Sequence, residues 1–193
     1  VAVTTGNSYT VVSAVEAVAR SLERLGVDPL EATMCVVGAT GSIGRATAIL
    51  ISEFSSRLSL VGNPKWPDKS RRRLLDVAAG VCRHLSGRIR AGEVFPRGSL
   101  GDCVMRMGIP PADGAVEDYA ALAAALEKEG RLSITTDSDS HIALSDVVVT
   151  ATSTIATLVT PENVKFGAVV CDLSRPPNVS RAIHEARPDV LVI

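Results

Sequence analysis

Gly38, Gly41 and Gly44 recur at every third position in the stretch VVGATGSIGR, between a β-branched apolar run and a helical one. Glycines so spaced can do one specific piece of chemistry. The first lets the chain turn tightly after a strand, the second lets backbone approach a pyrophosphate, and the third lets a helix press on the sheet. A helix starting near Ser42 would aim unpaired N–H groups and its positive dipole end at phosphate oxygens. Gly38, Thr40, Gly41, Ser42, Ile43 and Gly44 are therefore candidate cofactor contacts. A glycine turn made for packing alone is the competing reading.

The next strand bears on which dinucleotide would bind. An NAD site carries an Asp or Glu about 20 residues beyond the glycines. Here that place reads VGNPKWPDKSRRR, with Asn63 in place of a carboxylate and Lys65, Lys69, Arg71, Arg72 and Arg73 close behind. A carboxylate repels a ribose 2′-phosphate, whereas an amide and cations attract it. The expected cofactor is NADPH, with Asn63 and Lys65 as phosphate ligands, although consecutive residues on a helix point about 100° apart and part of the arginine run faces solvent.

Two further stretches place small polar residues where a cofactor would pass. VTATSTIAT follows an apolar run, and its Thr150, Ala151, Thr152 and Ser153 suit close approach of ribose and nicotinamide; they also suit a helix N-cap. CDLSRPPNVS brings Asp172 to the end of another strand, where it either acts in the site or orients its loop. Near the amino terminus, TTGNSYT precedes an amphipathic run, and Asn7 or Ser8 can cap the helix. A helix running antiparallel to the first strand begins near that strand's carboxyl end. Thr5, Gly6, Asn7 and Ser8 thus become a candidate second wall for cofactor or substrate.

No catalytic set accompanies these residues. His84, His141 and His184 belong to no triad pattern, and Cys171 lies inside an apolar strand, where a thiol is inert. No metal-ligand spacing occurs. Cys35, Cys82, Cys103 and Cys171 are scattered without a C-x-x-C pair, which reads as reduced thiols of a cytoplasmic protein.

The elements that must position the site follow from periodicity. Val11, Val15, Val18, Leu22 and Leu25 form one stripe of a helix closed by Gly26. Apolar runs at 33–37, 58–62, 132–136, 146–153, 168–174 and 189–193 read as strands. Helices are expected over 45–54, 69–87 and 115–130, and 88–114 as an irregular insertion. Alternating strands and helices predict an α/β fold: a doubly wound, mostly parallel Rossmann sheet, order 3-2-1-4-5-6, preceded by a helix. With 193 residues the chain suits one domain; it opens without Met and stops on a strand, which suggests a piece excised from a longer protein. Aromatics make up only 3% and the net charge is −1, which argues against single-stranded nucleic acid as a ligand. No run reaches the roughly 18 apolar residues of a membrane span.

Two of these stretches together resemble a known family. TTGNSYT, a helix, and then ATMCVVGATGSIGRA resemble the NADPH-binding domain of cyanobacterial-type long-chain fatty acyl-[acyl-carrier-protein] reductases over residues 4 to 48. SDVVVTATS and PENVKFGAVVCDLSRPPNVS resemble that family's fourth and fifth strands more loosely; 64–130 has no counterpart. The resemblance implies NADPH-dependent reduction of a fatty acyl thioester to an aldehyde, with an acyl carrier protein as a possible partner. In that family a cysteine beyond the Rossmann domain takes the acyl group, so no cysteine here inherits that role. Asn63-Pro64 departs from the family, which tends to carry an Arg there for the 2′-phosphate. Shikimate dehydrogenase and glutamyl-tRNA reductase share the architecture and supply an alternative activity. A module that binds NADP(H) without catalysis is a third reading.

Overall fold

The structure, a computed structural model, describes residues 6–193. Six parallel strands, β1 (Thr33–Val37), β2 (Arg57–Val61), β3 (Leu132–Thr135), β4 (Val147–Thr150), β5 (Val169–Asp172) and β6 (Leu191–Val192), form one sheet in the order β3-β2-β1-β4-β5-β6. This is the Rossmann-like order read from the sequence. Val37 pairs with Val61 on one side and Thr150 on the other, so β1, β2 and β4 end level with one another. The chain leaves β1 toward β2 and later returns on its other side at β4. The crevice between those two paths is the switch point of the sheet. The strands are nearly continuous apolar runs because a parallel sheet is covered on both faces.

The cover is unequal. Helices α1 (Asn7–Leu25), α2 (Ser42–Ile51), α3 (Pro67–Arg90) and α5 (Val116–Lys128) lie on one face, where Met34, Val36, Leu58, Leu60 and Val149 meet Val18, Leu22, Ile51, Leu74 and Leu126. The opposite face carries α6 (Ser138–Leu144), the one-turn α7 (Ile183–Ala186) and loops, with Cys35, Val37, Val148 and Val170 packed on Ile142, Val159 and Ile183. In α1 the stripe buries Val11, Ala14, Val18 and Leu22, each larger side chain contributing about 1.5–3 kcal/mol relative to exposure. Leu25 is exposed, because Gly26 turns the chain out with φ 67° immediately after it.

The segment 88–114 is more regular than expected. α3 runs on to Arg90, and α4 (Leu100–Met107) lies inside the stretch. Ser99 Oγ accepts from Asp102 N (3.1 Å), while Asp102 Oδ2 accepts from Gly98 N (2.8 Å), which satisfies donors at the start of the helix. Leu100, Cys103 and Val104 point into the core, and Gly101 is bare because Phe95 lies where its Cβ would be. α6, also unexpected, is capped by Asp137, whose carboxylate accepts from Ser140 N at 3.1 Å.

Candidate functional site

A cleft of about 330 Å³ opens at the carboxyl edge of the sheet, at the switch point. Val37, Gly38, Thr40 and Gly41 form its floor, Gly62, Asn63 and Pro64 one side, and Ala151, Thr152, Ser153, Thr154, Ala156 and Leu158 the other. Ser138, at the start of α6, closes the rim. The three glycines of the turn do different things. Gly38 has φ 84°, and a Cβ there would stand 2.5 Å from Ala151 O, so both conformation and space demand glycine. At Gly44 a Cβ would overlap Gly38 O and come within 2.8 Å of Gly38 C, so α2 seats directly on the turn. Gly41 is different. Its φ of −78° suits any residue, and its Cβ would meet nothing nearer than Gly38 O at 3.4 Å.

Gly41 is the N-cap of α2 and gives it no side-chain bond. The N–H groups of Ser42, Ile43 and Gly44 donate to no backbone carbonyl among the described residues, whereas Arg45 N returns to Gly41 O at 2.9 Å. Orphan donors and a positive dipole end therefore lie beside the cleft floor. The site fits a dinucleotide: bare backbone at Gly41, free donors behind it, and small residues on the facing wall. Ser42, Ile43 and Gly44 stand behind the lining rather than in it.

At the end of β2, Asn63 lines the cleft and Lys65 does not. Asn63 Oδ1 accepts from Lys65 N (2.9 Å), a local turn, and the Lys65 ammonium stands 5.8 Å from the centroid of the Trp66 ring. The arginine run divides as helical geometry requires. Arg71 reaches back to Ile134 O (3.4 Å), and Arg73, about 200° further round α3, donates to Thr40 O at 3.0 Å. Arg73 thus carries its charge onto the glycine turn. Sequence spacing placed it in a basic run; only the packing of α3 on the turn singles it out.

On the β4 side, Ala151, Thr152 and Ser153 line the cleft, while Thr150 is fully buried and donates to Asp172 Oδ1 at 2.6 Å. Asp172 also accepts from Ser174 N, Asn178 N and Val179 N, so it orients its loop and does not line the cleft. At the amino end, Thr5 lies outside the described residues. Gly6 is the N-cap of α1 with φ 77° and no side-chain bond, so neither Asn7 nor Ser8 caps the helix as expected. Asn7 sits inside the first turn and its Nδ2 donates to Ser42 Oγ at 3.4 Å; Ser8 is exposed. The amino end of α1 is thereby joined to that of α2 behind the cleft floor.

None of the histidines lines the cleft. His84 meets Glu53 Oε1 at 2.6 Å, His141 meets Ser59 Oγ at 2.9 Å, and His184 is on α7. All four cysteines are buried and none is in a disulfide. Burial pushes the Cys35 and Cys82 thiols up to about 12; burial, with the Asp172 carboxylate beside it, pushes Cys171 up to about 11. Among the described residues no cluster of His, Cys, Asp or Glu could hold a metal ion, and no helix is long and apolar enough to cross a membrane. No protein-family model matches this sequence, and neither does any curated protein.

Proposed function

We propose that this chain is the NADP(H)-binding domain of an oxidoreductase, with the dinucleotide in the switch-point cleft. Gly41 carries the reading. Neither backbone angle nor packing forbids a side chain there, so beyond its modest preference as an N-cap the bare backbone is what a ligand entering the cleft would need. The α2 amino terminus would hold the pyrophosphate, Asn63 and Arg73 the 2′-phosphate, and residues 151–153 would border the nicotinamide. Bound NADPH would supply a hydride; the chain's own part is to bind and orient it.

The substrate reading is a fatty acyl thioester reduced to an aldehyde, supported by the likeness of residues 4–48 to fatty acyl-[acyl-carrier-protein] reductases. The described lining offers hydroxyls and one amide, with no thiol, imidazole or carboxylate. Acyl transfer to a thiol would therefore draw its nucleophile from outside this lining. Calorimetric titration with NADPH and NADH tests the cofactor assignment: NADPH should bind at least about tenfold tighter, a difference of about 1.4 kcal/mol. Equal or tighter binding of NADH, or no binding of either, overturns it.

A further inference from the structure

The β4 wall of the cleft has no regular secondary structure between Ala151 and Ala156, so its backbone groups need partners from elsewhere. One buried side chain supplies partners for two of its carbonyls and for one of its hydroxyls. Asn178 Nδ2 donates to Thr154 O (3.0 Å) and Ala156 O (2.9 Å), and its Oδ1 accepts from Thr152 Oγ1 (2.5 Å). Every second residue of the wall is thus tied to one amide that is itself fully buried. Asp172 fixes Asn178 in turn. Its Oδ2 accepts from Asn178 N (2.8 Å) and Val179 N (3.2 Å), and its Oδ1 accepts from Thr150 Oγ1 (2.6 Å) and Ser174 N (3.0 Å).

We infer that Asp172 and Asn178, neither of which lines the cleft, are positioning residues that set the shape of its β4 wall. The network also decides what that wall presents. The Thr152 hydroxyl donates to Asn178 and accepts from Thr154 N at 3.1 Å, so it is spent within the protein. The Thr152 methyl lies against Gly38, 2.8 Å from where a Cβ would be. Ser153, between the tied residues, remains exposed. Losing the ties frees the wall to move into or away from the crevice while the glycine turn and Asn63 stay in place.

This inference rests on the dinucleotide reading, and its test separates the two. The intact chain and its Asn178→Ala variant are titrated with NADPH and with adenosine 2′,5′-bisphosphate, a fragment that lacks the nicotinamide half. In Asn178→Ala, NADPH binding should weaken about tenfold or more, from the loss of the ties that hold the wall, while the bisphosphate stays within about twofold. Thr150→Val, which removes one bond to Asp172 at nearly constant volume, should weaken NADPH about threefold with the bisphosphate unchanged, and it decides the matter if Asn178→Ala does not fold. Equal weakening of both ligands, or unchanged NADPH binding in a folded variant, overturns the positioning role and leaves the dinucleotide reading intact. Failure of the wild-type chain to bind NADPH overturns both.

Discussion

Replacing Gly41 with alanine separates a turn built for packing from a turn built for a ligand. An alanine at 41 keeps its φ of −78° without strain and finds 3.4 Å of clearance. It restricts the unfolded chain, which stabilises by about 0.4–1 kcal/mol. It is also a poorer N-cap than glycine, a loss of similar size. The two nearly cancel, and the melting temperature should move by less than about 2 °C in a domain of this size. Gly44→Ala is the contrast. Its Cβ would overlap Gly38 O and crowd Ala39 Cα at 3.1 Å, all backbone that cannot swing aside. Overpacking of this kind costs about 1–3 kcal/mol, or roughly 2–12 °C. Binding should reverse the order of harm. A methyl at 41 displaces a phosphate oxygen from charge-assisted N–H bonds worth about 1.5–3 kcal/mol, hence a loss of about 10- to 150-fold in affinity. Thermal melts followed by circular dichroism, and NADPH titration by calorimetry, read the two quantities separately. Gly41→Ala binding NADPH within about twofold of wild type would refute the reasoning, as would a loss of stability equal to that of Gly44→Ala.

Three further outcomes are expected. Asn63→Asp places a carboxylate beside the cleft and Arg73→Ala removes the cation bonded to Thr40 O; each should weaken NADPH about tenfold and leave NADH within about threefold, by calorimetry. The Asp189 carboxyl is held well below the usual carboxylate range, first by its bond to Arg187 and then by the Gly167 N–H. A depressed folded pKa gives stability that is present above the unfolded value, about 3.9, and lost as pH falls below it. Urea melts from neutral pH downward should show that loss, and Asp189→Asn should flatten it. The raised pKa values of Cys35, Cys82 and Cys171 leave no thiolate near neutral pH, so iodoacetamide should label these thiols, by mass spectrometry, only when the chain is unfolded.

The sheet was legible because each strand is an apolar run, and the first three alternate with strongly periodic helices. Its order followed from the glycine turn, which marks β1 of a doubly wound fold. The short helices were harder. α4 hid behind FPRGSLGD, whose Pro and Gly signal a loop, although Ser99 and Asp102 already carry the spacing of a cap. α6 is seven residues of weak periodicity. Within the site, the glycine turn, Asn63 and residues 151–153 came from local pattern alone. Arg73 was legible only as one of a basic run and Asn178 not at all, because their partners lie 33 residues away at Thr40 and 24 and 22 away at Thr154 and Ala156. Lys65 illustrates the reverse. Spacing brought it near, but the Asn63 turn directs it to Trp66 instead.

The first helix of this chain packs on α2 and on β5. Its apolar stripe is therefore finished by a strand that begins at Val169, almost the whole chain away. Contacts of such sequence separation form slowly, since the intervening chain must be ordered before they are rewarded. During synthesis α1 leaves the ribosome with Val18 and Leu22 uncovered; α2 can shelter one side early, and β5 completes the cover only when the sheet is nearly whole. A chain stopped short of residue 169 should accordingly expose α1 to aggregation and chaperone capture, while one that reaches β5 should escape both.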